Sequence, residues 1–78
     1  MVLMRHPAVR EVAVLGMPDA IRGEVVRAII VPSDTPSTIA ALRAYCHRRL
    51  AGYKVPRRWE FRDALPRSPL GKILRRDL

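Results

Sequence analysis

Cysteine is almost missing from the sequence, since Cys46 is the only one among 78 residues. No internal disulfide can form, which suits a reducing compartment. The two histidines, His6 and His47, are far apart, so together with one cysteine they do not make the ligand spacing of a zinc site. We therefore expect no metal site in this chain.

Long apolar runs are missing as well. No stretch approaches the ~20 residues that span a bilayer. Residues 1–4, which precede a basic residue and a proline, are too short for the apolar region of a secretory signal. We expect a cytoplasmic protein without a transmembrane segment.

Aromatic and acidic residues are scarce. Aromatics make up 5% of the sequence, and seven acidic residues stand against 15 basic ones, for a net charge of +8. Such a charge favours phosphate-bearing or polyanionic partners. A small basic nucleic-acid-binding module is one alternative, but the few aromatics do not form an exposed, interleaved pattern for stacking bases. No nucleic acid is expected as partner.

Apolar residues are plentiful, at 49% of the sequence, which is enough for a folded core. Two strands are predicted at 9–17 and 24–31, joined by a connection longer than a tight hairpin because Pro18 and Asp19 signal a turn. In the second strand, Val26, Ala28 and Ile30 share one face, and the intervening apolar residues share the other. The first strand ends in a continuous apolar run, which is typical of a strand covered on both faces.

A helix is predicted at 37–51, with Asp34 or Thr35 as its cap and Pro36 at its first position. The helix presents an apolar stripe to the core, formed by Ile39, Leu42, Tyr45, Cys46 and Leu50. A third strand at 57–62 and a short helix at 72–78 follow. Residues 1–5 are interpreted as the end of a helix that opens upstream. The predicted fold is a single α+β domain over 1–78, with a small three-stranded sheet, one main helix packed on it and a short C-terminal helix.

The C-terminal stretch, residues 65–76, organises the rest. Its sequence is Leu-Pro-Arg-Ser-Pro-Leu-Gly-Lys-Ile-Leu-Arg-Arg. Pro66 and Pro69 restrict the backbone, and Gly71 lets it pass close to a ligand. Lys72 is thereby presented as a compact charge on a long stem, suited to phosphate or carboxylate oxygens. Spacing alone makes it a candidate anion-binding lysine or a solvated lysine in a basic tail.

The same stretch closely resembles the last core motif of the adenylate-forming superfamily, which includes acyl-CoA synthetases. That motif usually reads Leu-Pro-Arg-Thr-x-Ser-Gly-Lys-Ile-Leu-Arg. Other short matches to the family's C-terminal domain follow in its order and spacing. They are His-Pro-Ala-Val at 6–9, Glu-Val-Ala-Val at 11–14, Pro-Asp at 18–19, Arg-Gly-Glu at 22–24 and Gly-Tyr-Lys-Val-Pro at 52–56.

The resemblance implies a mobile lid that closes over a large N-terminal domain, which binds ATP with Mg and a carboxylic acid. The lysine matching Lys72 contacts carboxylate and α-phosphate during acyl-adenylate formation, with Gly71 beside it. The lid then rotates and presents another face for attack by coenzyme A or a carrier protein. Candidate coenzyme A contacts are Arg22, His47, Arg48 and Lys54. For Arg22, an ordinary pair with Asp19 or Glu24 is the alternative, and Arg48 and Lys54 can equally be surface charges.

Two departures from the family pattern matter. Leu70 stands where the motif has serine, and Ser68 stands where it has threonine. The family's phosphate-binding loop and hinge motif are absent, and both would lie upstream of Met1. We therefore expect that this chain alone has no ligase activity and acts with an N-terminal adenylation domain, in cis or as a split partner.

Overall fold

The three strands of the domain form one mixed sheet. The computed structural model describes residues 2–78. The strands lie in the sheet in the same order as in the chain, and the central strand is antiparallel to the first and parallel to the third. The elements in chain order are a 3-10 turn Val2–Arg5, β1 Val9–Asp19, β2 Gly23–Pro32, α1 Ile39–His47, a 3-10 turn Gly52–Lys54, β3 Arg58–Phe61 and a 3-10 turn Arg75–Asp77. The predicted α+β class is confirmed, and the part of the predicted first helix at Met1 lies outside the described residues.

Strand β2 lies at the centre and is buried on both faces. Ala28 and Ile30 pack with the helix residues Leu42 and Cys46 in one cluster. Ile29, on the opposite face, belongs to a second cluster with Val31, Ala13 and Leu65, against which Ile73 and Leu78 pack. The alternation predicted for this strand is confirmed. Burying a fully apolar side chain stabilises a fold by about 1.5–3 kcal/mol, so β2 contributes heavily.

The β1–β2 hairpin is tighter than predicted. Both strands extend beyond the predicted bounds of 9–17 and 24–31, which leaves only residues 20–22 as the loop. Pro18 pairs opposite Glu24, which is possible because β1 is an edge strand. The Asp19 carboxylate accepts hydrogen bonds from the backbone N–H groups of Arg22 and Ile21, at 2.8 and 2.9 Å, which hold the pKa of Asp19 below its usual value. Gly23 closes the turn at φ +79°.

The start of α1 corrects the predicted cap. Thr38, not Asp34 or Thr35, is the N-cap, and its hydroxyl accepts from the Ala41 N–H at 3.1 Å. Pro36 therefore lies before the helix rather than at its first position. Thr38 stands one turn before Leu42, the first buried residue of α1, so a helix capped at Thr38 places Leu42 in the core.

The C-terminal end of α1 is also shorter than predicted, at His47 rather than residue 51. The Arg48 and Arg49 side chains donate back to the Ala44 and Tyr45 carbonyls, at 3.3 and 3.1 Å. Basic side chains that satisfy the last carbonyls are a common way to end a helix. The chain then turns so that Leu50 packs on the cluster that contains Leu42 and Cys46. Cys46 is fully buried there, and burial raises the pKa of its thiol.

Strand β3 is shorter than the predicted 57–62, and its aromatics differ in burial. The Trp59 indole is half-buried and donates to the Pro56 carbonyl at 3.0 Å. Phe61 is 44% exposed. The reason is its position near the end of the sheet, where Pro32 and the following loop only partly cover it.

The end of the chain, residues 65–78, lies across the sheet face opposite α1 in a mostly extended form, which we call the C-terminal strip. The helix predicted at 72–78 is not formed. Only Arg75–Asp77 forms a single 3-10 turn. Arg27 of β2 donates to the Leu78 carbonyl at 3.3 Å, and Arg62 donates to the Asp77 carbonyl at 3.4 Å. Both arginines also pair with Glu60 of β3. The strip is thus stabilised by contacts to the sheet, which local helix propensity cannot anticipate.

Burial on β2 can be tested with a matched pair of isoleucines in the 78-residue chain. We expect Ile30→Val to lower the free energy of unfolding by about 0.5–1.5 kcal/mol, because Ile30 is fully buried. Ile21→Val removes the same methylene from a side chain that is 89% exposed, and should change stability by less than about 0.5 kcal/mol. Urea unfolding measures both; equal effects would contradict the assignment of Ile30 to the core.

The Glu60 network predicts an acid-dependent component of stability. Hydrogen bonds from Arg27 and then Arg62 hold the pKa of Glu60 below its usual value. Stability from a lowered pKa is fully present above the unfolded carboxyl pKa of about 4.3, and is lost as pH falls through the folded-state value.

We therefore expect Glu60→Gln to lower stability at neutral pH and to flatten the decline below about pH 5. Urea midpoints across this range measure the effect. Asp63→Asn, an exposed carboxylate next to the same strand, is the control. A Glu60→Gln curve parallel to that of the parent chain would argue against the network.

Candidate functional site

Lys72 is carried by a narrow turn that the backbone closes on itself. Arg67 and Ile73 form an antiparallel bridge. Inside it, Ser68 N–H donates to the Lys72 carbonyl at 2.8 Å, and Gly71 N–H donates to the Ser68 carbonyl at 2.9 Å. Gly71 has φ +85°, a conformation that L side chains rarely adopt. The glycine of the motif is therefore required by the turn itself.

The Lys72 ammonium group faces solvent. Lys72 is exposed, and within residues 2–78 no hydrogen bond or ion pair involves its side chain. The backbone N–H of Lys72 donates to the Ser68 hydroxyl at 3.3 Å. Ser68 thus provides the oxygen that the usual threonine of the motif would provide. Leu70, which replaces the usual serine, is 88% exposed at the tip of the turn.

The turn is anchored on the sheet face opposite α1. Immediately after Lys72, Ile73 packs on the second cluster. Arg75 then donates to the Val14 carbonyl of β1 at 3.4 Å. Between β1 and these two residues lies a shallow recess of about 250 Å³. The candidate lysine is therefore presented next to β1, with sheet contacts immediately beyond it.

Two of the candidate coenzyme A residues, His47 and Arg22, lie away from the Lys72 turn, on either side of Arg57. His47, at the end of α1, lines a recess of about 240 Å³ together with Arg43 and Arg57. Arg22, in the β1–β2 loop, lines an adjacent recess of about 210 Å³ with Tyr53 and the same Arg57. We call the residues Arg22, Arg43, His47, Tyr53 and Arg57 the basic face. The three arginines outnumber the one carboxylate that also lines these recesses, Glu24, so this concave surface suits a phosphate-bearing ligand.

The other two candidate coenzyme A residues, Arg48 and Lys54, do not line the recesses of the basic face. Arg48 lines neither recess, and its guanidinium donates back to Ala44 of its own helix. Lys54 places its ammonium 5.7 Å from the centroid of the Tyr53 ring, so it borders the basic face without lining it. No ion pair in residues 2–78 joins Arg22 to Asp19 or Glu24, so the ordinary pairing considered for Arg22 is not formed.

Sequence reasoning missed Arg57 and Arg43. Arg57 directly follows the Gly-Tyr-Lys-Val-Pro match at 52–56, and that adjacency was the available signal. Its N–H donates to the Val26 carbonyl at 2.9 Å, which places it between the helix end and the hairpin. The position depends on pairing between β2 and β3 and cannot be read from local sequence.

The Lys72 turn and the basic face do not form one site. The turn lies with the strip that covers one sheet face, whereas His47 and Arg43 lie on the helix that covers the other. Among residues 2–78 there is no group of three or more His, Cys, Asp and Glu side chains placed to hold a metal ion. Nor does any helix in that range have the length and apolarity to cross a membrane.

Comparison with known families decides the relationship. Residues 1–72 match the family described as AMP-binding enzyme C-terminal domain, and the match ends on Lys72. The chain belongs to this family. The superfamily resemblance drawn from the motifs is thereby confirmed.

Curated relatives of this AMP-binding C-terminal domain are much longer proteins. It is 51% identical over 77 residues to a long-chain-fatty-acid–CoA ligase of Escherichia coli O6:H1, and 46% identical to one of Bacillus subtilis. These alignments cover 99% and 97% of the chain but only 14% of each ligase.

Solved structures give the same relationship. A fatty acyl CoA synthetase of Mycobacterium tuberculosis matches with TM-score 0.90 and 42% identity, over 97% of this chain and 15% of that one. A variant o-succinylbenzoate CoA synthetase of Bacillus subtilis, bound to a product analogue, matches with TM-score 0.91 and 42% identity over 99% and 16%. The amide bond synthetase McbA of Marinactinospora thermotolerans matches with TM-score 0.85 and 42% identity over 92% and 15%.

Gly71 can be compared with Gly52 to test the turn. A Cβ added at either glycine meets no atom within 4 Å, but only Gly71 has a positive φ. We expect Gly71→Ala either to lower the free energy of unfolding by roughly 1–2 kcal/mol or to change the conformation of the turn. Gly52→Ala should be neutral or slightly stabilising. Thermal unfolding and amide chemical shifts of residues 67–73 measure both effects; an unperturbed Gly71→Ala turn would contradict the observed backbone.

Proposed function

We propose that this chain is the mobile C-terminal domain of an AMP-forming acid–CoA ligase. In this proposal it supplies Lys72 for acyl-adenylate formation and part of the coenzyme A surface for thioester formation. Family membership and relatives named as fatty-acid–CoA ligases support it. The observation that carries it is an exposed lysine, with no side-chain partner among the described residues, on a turn whose shape requires Gly71.

The chemistry of adenylation explains why a lysine is needed. A carboxylate must approach the α-phosphate of ATP, although both groups are anionic. Negative charge then spreads over the phosphorus in the transition state. A cation between the two reactants offsets their repulsion and stabilises that charge. Lys72 fits because a lysine is a compact point charge whose stem extends from the turn.

The basic face supports the second half of the proposed cycle. Thioester formation requires the Lys72 turn to leave the reacting atoms and coenzyme A to approach. Arg22, Arg57 and His47 then bind phosphate groups of coenzyme A. Because the turn lies on one sheet face, and His47 and Arg43 of the basic face lie on the helix that covers the other, rotation of the domain as one rigid body would exchange one basic group for the other.

The remaining parts of the reaction are assigned to a partner. An N-terminal adenylation domain, in cis or as a separate chain, binds most of ATP with its Mg and the acid. We infer that the 78 residues alone have no ligase activity. The first acid to test is a long-chain fatty acid, since the relatives are named for it. A carrier-protein arm, or another nucleophile as in an amide bond synthetase, is the alternative acceptor.

The role of Lys72 predicts a split between the two half-reactions. The test uses a chimera in which this chain replaces the region it matches in the Escherichia coli ligase. We expect Lys72→Ala to reduce acid-dependent ATP–pyrophosphate exchange by about 10²–10³-fold, because a cation at the transition state is lost. Thioester formation from supplied acyl-adenylate should be largely retained.

Two variants control this experiment. Arg76→Ala removes an exposed cation four residues away and should leave both half-reactions unchanged. Arg57→Ala is the reciprocal change: it should leave exchange intact and raise the KM for coenzyme A. Equal loss of both half-reactions in Lys72→Ala would mean that Lys72 is structural or that the assignment as a lid is wrong.

A further inference from the structure

Arg67 makes two contacts with one guanidinium group. Its Nη1 donates to the Gly71 carbonyl at 2.8 Å, inside the turn that carries Lys72. Its Nη2 pairs with the Glu11 carboxylate on β1. Arg67 and Glu11 are 56 residues apart in the chain, so this pair joins the turn to a distant strand.

The geometry points to Arg67 as a positioning residue that, with Glu11 as its anchor, fixes the Lys72 turn against β1 for adenylation. This inference rests on the proposed function of Lys72 and adds a role that the family motif does not explain.

The turn needs such an anchor because its own hydrogen bonds are internal. The bonds between Ser68, Gly71 and Lys72 shape the turn without attaching it to the sheet. From Pro69 to Lys72 every residue is exposed. Sheet contacts flank the turn, with Arg67 before it and Ile73 and Arg75 after it. Without Arg67, the nearest sheet contact before the turn is the buried Leu65, two residues further back.

The contact to Gly71 acts directly on the lysine. The Gly71 carbonyl and the Lys72 N–H belong to the same planar peptide unit. Arg67 holds the carbonyl side of this unit, and the Ser68 hydroxyl holds the N–H side at 3.3 Å. Rotation of the peptide would redirect Lys72, and these two bonds oppose that rotation.

The pair is poorly suited to a purely stabilising role. The Arg67 and Glu11 side chains are 43% and 29% exposed, and such ion pairs contribute little to the stability of a fold. Arginine is nevertheless demanded by the geometry, because a planar fork holds two acceptors in fixed directions and a lysine ammonium does not. The contact therefore constrains orientation more than it stabilises the domain.

The test measures both half-reactions in the chimera described above. We expect Arg67→Ala to lower the kcat of ATP–pyrophosphate exchange about 10- to 100-fold, since small misplacements of a reacting group have effects of this size. The KM values for ATP and acid, and thioester formation from supplied acyl-adenylate, should stay near those of the parent.

Further variants separate positioning from charge. Arg67→Lys keeps the charge without the fork and should recover only part of the lost kcat. Glu11→Ala should lower the kcat of exchange by no more than Arg67→Ala does, because the Arg67–Gly71 bond remains. The double variant should be no worse than Arg67→Ala alone, because Glu11 acts through Arg67. Arg76→Ala, a nearby exposed arginine outside the proposed machinery, should match the parent chimera.

Distinct outcomes overturn distinct claims. Normal exchange in Arg67→Ala, with exchange abolished in Lys72→Ala, would remove the positioning role and leave the proposed function standing. Exchange that survives Lys72→Ala would overturn the proposed function itself. Equal loss of both half-reactions in Arg67→Ala would make Arg67 structural. If that variant fails to fold, Arg67→Lys and Glu11→Gln decide: a kcat loss confined to exchange supports positioning, and parental exchange in both contradicts it.

Discussion

The central constraint of this domain is that β2 must be buried on both faces. Its apolar side chains point alternately to the helix and to the C-terminal strip, so neither cover can be omitted without exposing Ile29 or Ile30. Arg27 is the one charged residue between Val25 and Val31, and its pairing with Glu60 offsets the cost of placing it beside the second cluster. β1 and β3 satisfy the backbone of β2 on its two edges.

This arrangement separates the two basic groups of the domain. The helix α1 covers one face of β2, ends in His47 and is followed by Arg57. The C-terminal strip covers the other face and contains Lys72. The sheet between them makes their relative orientation a property of the fold and not of a flexible linker. Any chemistry that uses both groups must therefore move the domain as a whole or use the groups at different times.

Much of this was predictable where local pattern and tertiary environment agree. The alternation in β2 predicted its two apolar faces, and both faces are covered in the structure. The glycine before Lys72 was expected to let the backbone pass close to a ligand, and the structure adds that it adopts a positive φ in the turn. The ends of α1 were mispredicted because three side chains competed as caps and packing of Leu42 favoured Thr38. The expected final helix was wrong because contacts from Arg27, Arg62 and Arg75 hold that segment across the sheet. Arg57 was missed because only the parallel pairing of β2 with β3 brings it to His47.

The C-terminal strip is joined to the sheet by contacts of very long sequence separation. Arg67–Glu11 spans 56 residues, Arg75–Val14 spans 61 and Arg27–Leu78 spans 51. Loop-closure entropy opposes such contacts until the strands and α1 have already formed. The strip is thus the natural place for local opening, in which the helix-side core persists while the turn detaches. We therefore expect mild denaturing conditions to disorder Lys72 before they disturb most of the secondary structure.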